Sequence, residues 1–293
     1  MTDRAALRKS RLMMVTSMAV FGTIALFVRN IQVSSSEIAL YRAVMAALLL
    51  GGFFLFTGQK IDFKAIRKEL PLLLLSGMAM GINWILLFEA YRYTTVSVAT
   101  LSYYFAPVIV TLVCPVLFKE KMGFKQWLCF GMSTLGIVLI TGVGDLSASN
   151  THLIGILFGF GAAILYATVV LLNKFIKGVA GIQRTFLQFV AAVLILLPYV
   201  LLTGGIHLQG LSGTGWVNLL IIGIIHTGFT YCLYFSALRD IPGQEAAILS
   251  YIDPLVAVAI SVFVLGEQLT LCQLLGGALI LGFTLYNEIK TQN

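Results

Sequence analysis

The sequence has few charged residues, and this scarcity excludes an ordinary soluble protein. Asp, Glu, Lys and Arg make up 11% of its 293 residues, whereas soluble domains carry about 25%. Its four cysteines lie in apolar runs without Cys-x-x-Cys spacing, and its three histidines lie in distant segments, so we expect no metal site and no cofactor. It also has no Walker-type phosphate loop and no basic patch interleaved with aromatics. These absences argue against ATP as the driving force and against nucleic acid as a partner.

What the sequence has in abundance is long apolar runs. Hydrophobic residues make up 59% of it, and a helix that crosses a bilayer needs about 20 mostly apolar residues. The sequence predicts an all-α, multi-pass protein of the plasma or inner cell membrane, surrounded by the lipid bilayer. Ten transmembrane helices are expected, at about 12–28, 35–56, 70–91, 96–117, 124–142, 152–173, 182–203, 216–237, 245–265 and 270–287.

The lysine and arginine residues are unevenly distributed between the gaps. With the N-terminus in the cytoplasm, the predicted outer segments hold only Arg29 and Arg92, and Arg42 lies within the second span. Positive residues favour cytoplasmic segments, so both termini are predicted to be cytoplasmic.

The two halves of the chain repeat each other at an offset of 147 residues. Identical pairs include Arg92 with Arg239, Tyr104 with Tyr251, Pro107 with Pro254, and Glu120 with Glu267. This predicts two five-helix repeats, residues 1–145 and 146–293. Because five is odd, the second repeat enters the membrane from the opposite side. Inverted repeats are typical of secondary transporters, since an exchange of conformations between the halves switches access from one side to the other.

Two segments resemble a known family. The stretches APVIVTLVCPVLFKE at 106–120 and DPLVAVAISVFVLGE at 253–267 are similar to those of the EamA type in the drug/metabolite transporter superfamily. The resemblance implies transport of small metabolites, including amino acids, often as export, although importers and carriers of sugar-linked substrates also belong there. Where such proteins often have Glu-Pro in the second half, this chain has Asp253-Pro254.

The two repeated prolines, Pro107 and Pro254, mark expected helix breaks. A proline within a helix removes one N–H donor and frees the carbonyl four residues earlier, here those of Tyr103 and Ser250. Paired interruptions in corresponding spans indicate a transporter's binding site. The alternative is a kink that serves packing alone.

Several polar residues lie inside apolar spans. Asp253 is a candidate to bind a proton as coupling ion, or a cationic group, because a carboxylate within a membrane is expensive. The alternative is a structural Asp bonded to Ser250. His226, Thr230 and Tyr234 recur every four residues and predict a polar stripe along a cavity. A neutral histidine bonded across helices would give the same sequence.

Aromatic residues are paired by the repeat. Trp84 aligns with Tyr231, and Tyr104 with Tyr251. Aromatic walls suit an apolar side chain or a quaternary ammonium, although aromatics in membrane proteins also serve packing.

Three more charged residues lie in or beside the spans. Arg42 is a candidate for attracting a substrate carboxylate, but extension toward the outer surface or pairing with Glu37 is the preferred interpretation. Glu120 and Glu267 are interpreted as structural or gating residues.

The leading hypothesis is a secondary transporter of a small polar metabolite, an amino acid or related compound, that exports it by alternating access. The predicted substrate-binding residues are Trp84, Tyr104, His226, Tyr231, Tyr251 and Asp253. The alternative is a multidrug or quaternary-cation carrier of the same fold. An enzyme is not expected, because convergent His, Asp or Glu constellations are missing, and a structural subunit would not need an inverted repeat.

Overall fold

The computed structural model describes residues 2–58, 61, 66–118, 123–141, 150–176, 178–179, 181–238, 241 and 249–289, and these form helices without β-strands. A π-helical segment, Ile221–Phe229, joins the helices Gly213–Leu220 and Thr230–Leu238. The α-helices are α1 (Thr2–Gly22), α2 (Ile24–Val28), α3 (Ser35–Thr57), α4 (Leu70–Tyr93), α5 (Val96–Tyr103), α6 (Ala106–Phe118), α7 (Phe124–Thr141), α8 (Asn150–Phe175), α9 (Gly181–Thr203), α10 (Gly213–Leu220), α11 (Thr230–Leu238), α12 (Ile252–Phe263) and α13 (Leu271–Ile289).

The helices confirm an all-helical, multi-pass membrane protein. Of the described residues, seven stretches are long and apolar enough to cross a bilayer. They are Leu7–Val28, Ser35–Thr57, Leu70–Tyr93, Val96–Val113, Asn150–Phe175, Gly181–Thr203 and Gly213–Tyr234. Shorter apolar helices occupy Phe124–Ile140, Ile252–Phe263 and Leu271–Tyr286, where the remaining three spans are predicted. The start of the ninth span and Glu120 lie outside the described residues. The count of ten spans and the cytoplasmic termini stay predictions.

Glycines allow helices of this chain to pack closely. A Cβ atom at Gly77 of α4 would lie 2.4 Å from the carbonyl oxygen of Gln188 on α9. A Cβ at Gly155 of α8 would lie 2.7 Å from the side chain of Thr94. Small residues bring helix backbones together in membranes, where the hydrophobic effect does not drive association. Gly77 and Gly81, like Gly155 and Gly159, have Gly-x-x-x-Gly spacing. These two pairs therefore serve packing within the chain.

Helices α7 and α13 form a pair. Each glycine at their contact faces the other helix's backbone: a Cβ at Gly136 would lie 2.6 Å from the carbonyl oxygen of Gly276. None of the described residues of this pair lines the cavity presented below. The pair therefore acts through packing.

The fourth predicted span is interrupted directly before its proline. Helix α5 ends at Tyr103 and α6 begins at Ala106, so Pro107 lies in the first turn of α6. Proline is tolerated there because the first N–H groups of a helix have no partner within it. In the second half, α12 begins after Tyr251, and Pro254 likewise lies in its first turn. Each proline thus starts a helix rather than bending one.

Candidate functional site

A cavity of about 390 Å³ lies among the helices, and both predicted halves contribute to its wall. The first half contributes from α1, α3, α4 and the α5–α6 break, and the second half from α8, α9, α11 and α12. Its volume falls in the range of about 300–1,000 Å³ that is usual for small-molecule sites.

Tyr104 and Asp253 meet in this cavity. Tyr104 follows α5 at the helix break, and its hydroxyl donates to Asp253 Oδ2 at 2.8 Å. Asp253 lies in the first turn of α12, where the positive end of the helix dipole favours a carboxylate. Pro107 and Ser250 line the cavity beside them. The two helix starts thus converge on one hydrogen bond between the predicted halves.

Trp84 and Tyr231 also line the cavity. The buried ring of Phe189 contacts both of them from outside the lining. The ring centroids of Trp84 and Phe189 are 5.7 Å apart, and those of Phe189 and Tyr231 are 5.3 Å apart. Phe21 of α1 extends the contact, 5.1 Å from Tyr231. Three rings of the cavity wall, Phe21, Trp84 and Tyr231, are thus backed by the buried ring of Phe189, and they suit an apolar group of a ligand.

Arg42 lies where its sequence interpretation did not place it. It is 5% exposed and lines the cavity, with Nε donating to Thr227 Oγ1 at 2.9 Å and Cζ 4.5 Å from the centroid of the Trp84 ring. Glu37 instead accepts from Ser34, Tyr41 and the backbone N–H of His207. The preference for an outward side chain or a pair with Glu37 was wrong, because Glu37 is engaged in the capping box that begins α3.

Of the predicted stripe of His226, Thr230 and Tyr234, Tyr234 alone lines the cavity. His226 is hydrogen-bonded through Nε2 to Thr23 Oγ1 at 2.8 Å, and Thr230 Oγ1 donates to the carbonyl of Ile225 at 2.7 Å. The polar atoms of these two side chains are therefore engaged within the bundle. His226 thus takes the alternative position, a buried histidine bonded between helices.

Tyr251 and Pro254 are buried but do not line the cavity. Tyr251 is the residue that precedes α12, and Pro254 packs in the first turn of that helix. Their neighbours Ser250 and Asp253 are the residues of this segment that reach the wall. The structure therefore brings together Trp84, Tyr104, Tyr231, Asp253 and Pro107, and leaves the other three predicted site residues outside the wall.

An amide cluster in the cavity wall escaped the sequence reasoning. Gln188 Nε2 donates to Ser76 Oγ at 2.5 Å and to Asn173 Oδ1 at 2.8 Å. Gln188 and Asn173 both line the cavity, as does Arg184. In the sequence, Ser76, Asn173 and Gln188 are visible as polar residues in three different apolar runs. Only the fold shows that they are in contact.

Glu267 lies in a separate polar cluster, at the end of the bundle predicted to be outside. Its carboxylate accepts from Arg29 Nη1 at 2.5 Å, from the backbone N–H of Val96 at 2.9 Å and from the hydroxyl of Ser261. Arg29 also donates to the backbone carbonyl of Thr94 at 2.8 Å. The cluster joins the α4–α5 connection of the first half to α12 and its C-terminal extension in the second.

Among the described residues, no group of three or more His, Cys, Asp or Glu side chains is placed to hold a metal ion. The cavity is instead lined by two arginines, one carboxylate, amides and aromatic rings. Such groups suit the charged and apolar parts of a small molecule.

Comparison with known proteins places the chain in a family. The family model of EamA-like transporters matches residues 8–142 and 153–287. The uncharacterized transporter YxxF of Bacillus subtilis is 33% identical over 91% of this chain and 85% of its own length. An uncharacterized transporter of Archaeoglobus fulgidus is 29% identical, over 91% of this chain and 92% of its own.

A solved crystal structure shares the fold. It covers 94% of this chain and 95% of its own, with a TM-score of 0.64 at 15% sequence identity. This likeness bears on the fold alone. The two family matches span most of the chain, and its apolar helices cross a membrane several times: the protein is a multi-pass membrane protein that belongs to the EamA-like transporter family.

Proposed function

We propose that the protein is a secondary transporter of a small polar metabolite, an amino acid or related compound. The observation that carries this proposal is a cavity lined by both Asp253 and the aromatic rings of Phe21, Trp84 and Tyr231. A carboxylate binds the ammonium group of such a compound, and aromatic rings bind its apolar part. Export, rather than import, is the direction that the family resemblance implies.

The mechanism that we propose is alternating access between two five-helix halves. The Tyr104–Asp253 hydrogen bond links the halves within the cavity, so a ligand that binds Asp253 competes for the group that joins them. This gives substrate a different affinity for the two conformations, which any ligand-driven switch requires. A proton on Asp253 would compete in the same way and supply the coupling.

A quaternary-cation carrier is the second candidate, supported by the aromatic wall and one carboxylate. The buried guanidinium of Arg42 in the same cavity opposes it, because like charges in a low-dielectric site repel. The amino-acid proposal accommodates both charges.

The test is a thermal-stability screen of the purified protein in detergent. The ligands are the twenty protein amino acids, tetraalkylammonium compounds and nucleotide sugars. A ligand that binds the folded state alone raises the melting temperature with its occupancy. We expect stabilisation by amino acids, weakened in Trp84→Ala and Asp253→Asn but kept in Trp127→Ala, whose indole is exposed on α7.

Counterflow of the stabilising compound in proteoliposomes then establishes transport. Stabilisation by ammonium compounds alone would replace the amino-acid proposal with the cation carrier. A panel in which no amino acid stabilises the wild type would contradict the proposal.

A further inference from the structure

Arg42 is a buried cation that forms no ion pair with another described residue. Its recorded hydrogen bond is the one from Nε to Thr227, and it forms no ion pair with Asp253, although both line the cavity. A charged side chain at membrane depth is costly unless it meets an opposite charge or lines a polar cavity. A ligand bound in the cavity could therefore supply the negative charge that pairs with the guanidinium.

The surroundings hold the guanidinium in one orientation. Trp84 covers its face at 4.5 Å, and Thr227 takes its Nε–H. Thr227 is itself fixed, because its hydroxyl donates to the carbonyl of Ile222 at 2.8 Å within the π-helical segment. A guanidinium above a ring can still donate its N–H groups to other partners, and its two terminal nitrogens have no hydrogen-bond acceptor among the described residues. That fork matches the two oxygens of a carboxylate.

We infer that Arg42 binds the carboxylate of the transported compound and so determines specificity for a zwitterion over a simple amine. The inference rests on the proposed function and adds a second recognition point to it. Asp253, in the same cavity, is the partner of the ammonium group. A phosphate fits the site less well, because Asp253 in the same cavity repels its second negative charge.

The specificity is tested by comparing carboxylates with their neutral amides. The probes are L-alanine, L-leucine and L-phenylalanine, each beside its amide, which keeps the ammonium group and removes the negative charge. Dissociation constants come from thermal-shift titrations of the purified protein. In the wild type, the acids bind more tightly than the amides by on the order of 10- to 100-fold, as expected for a hydrogen-bonded charge pair.

Two substitutions of Arg42 give graded results. Arg42→Gln brings the acid-to-amide affinity ratio close to one. Arg42→Lys keeps the charge but not the fork, so it binds the acids several-fold more weakly than the wild type and still prefers them to the amides. Asp253→Asn is the matched control: it keeps the acid-to-amide preference and loses the preference for L-phenylalanine over 3-phenylpropionate, which has no ammonium group.

The outcomes separate the inference from the proposed function. A folded Arg42→Gln protein that keeps the wild-type ratio overturns the inference and leaves the proposed function intact. Where that variant does not fold, an Arg42→Lys protein that binds the acids as tightly as the wild type overturns it instead. A wild type that binds none of the acids contradicts the proposed function, and the inference fails with it.

Discussion

Asp253 combines two features that let a carboxylate remain within a membrane span. It lies at the start of α12, where the backbone N–H groups have no partner within the helix, and it accepts a hydrogen bond from Tyr104. Both stabilise its charged form, while the low dielectric of the interior favours the neutral one. A carboxylate balanced in this way is suited to take up and release a proton during transport.

The first prediction concerns that proton. Asp253→Asn is expected to abolish the dependence of transport on a pH gradient while leaving exchange at saturating substrate, because an amide keeps the size of the side chain and cannot titrate. The measurement is uptake into proteoliposomes with and without an imposed gradient, beside counterflow at equal pH.

Two controls accompany it. Tyr104→Phe removes the hydrogen bond but not the titrating group, so its transport stays gradient-dependent. Glu89→Gln removes a carboxylate that pairs with Arg92 away from the cavity, and it behaves as the wild type. Unchanged gradient dependence in Asp253→Asn would exclude Asp253 as the coupling site.

At the scale of helices, the sequence predicts positions well because bilayer thickness sets the length of each apolar run. The repeated prolines likewise indicate where α6 and α12 begin. The π-helical segment was not predictable, because its register depends on the contacts that His226 and Thr227 make with α1–α2 and α3. The spacing of His226, Thr230 and Tyr234 likewise did not show that the polar atoms of His226 and Thr230 bond to other groups outside the cavity.

Part of the candidate site was predictable from the sequence. Tyr104, Trp84, Tyr231 and Asp253 are identified by chemistry or by the repeat, since a carboxylate or a paired aromatic in an apolar run is visible in the sequence. The position of Arg42 depends on its contacts with Thr227 and Trp84 on other helices, and those contacts are tertiary. Contacts between distant spans thus set the limit of what the sequence predicts.

The second prediction concerns the packing of α7 against α13. Gly136→Ala is expected to lower the melting temperature, because its new Cβ would lie 2.6 Å from the carbonyl oxygen of Gly276 and overpacking costs about 1–3 kcal/mol. Gly131→Ala on the same helix is the control. Its Cβ meets nothing within 4 Å, and alanine favours a helix over glycine by about 1 kcal/mol.

The measurement is the melting temperature of both variants in the same detergent. Equal melting temperatures for the two would contradict the close contact. Because the described residues of α7 and α13 do not line the cavity, the ligand preferences of Gly136→Ala are expected to match those of the wild type. A change in preference would place this pair in the transport mechanism.

At the scale of the whole molecule, the cavity and the Glu267 cluster divide the bundle into an accessible part and a closed end. The cavity wall includes Gly181 and Arg184, near the end of α9 predicted to be cytoplasmic. At the opposite end, Arg29, Val96 and Ser261 converge on Glu267. With the cytoplasmic termini that the sequence predicts, we infer an inward-open conformation, in which the cluster must separate before substrate can leave to the outside.

The third prediction is that Glu267→Gln shifts the protein toward its outward-open conformation. Glutamine keeps an acceptor for Val96 but removes the negative charge that Arg29 contacts at 2.5 Å. The conformation closed at this end therefore loses stability relative to the open one, and the population moves toward the open one.

The measurement uses a variant without native cysteines and with Thr100→Cys in the cavity wall, treated with a membrane-impermeant maleimide from the outside. Labelling several-fold faster in Glu267→Gln is expected, and Glu89→Gln should label at the unmodified rate. An equal rate in both would mean that the cluster only supports the fold, since a gate that holds the outer end closed must change access when its charge pair is broken.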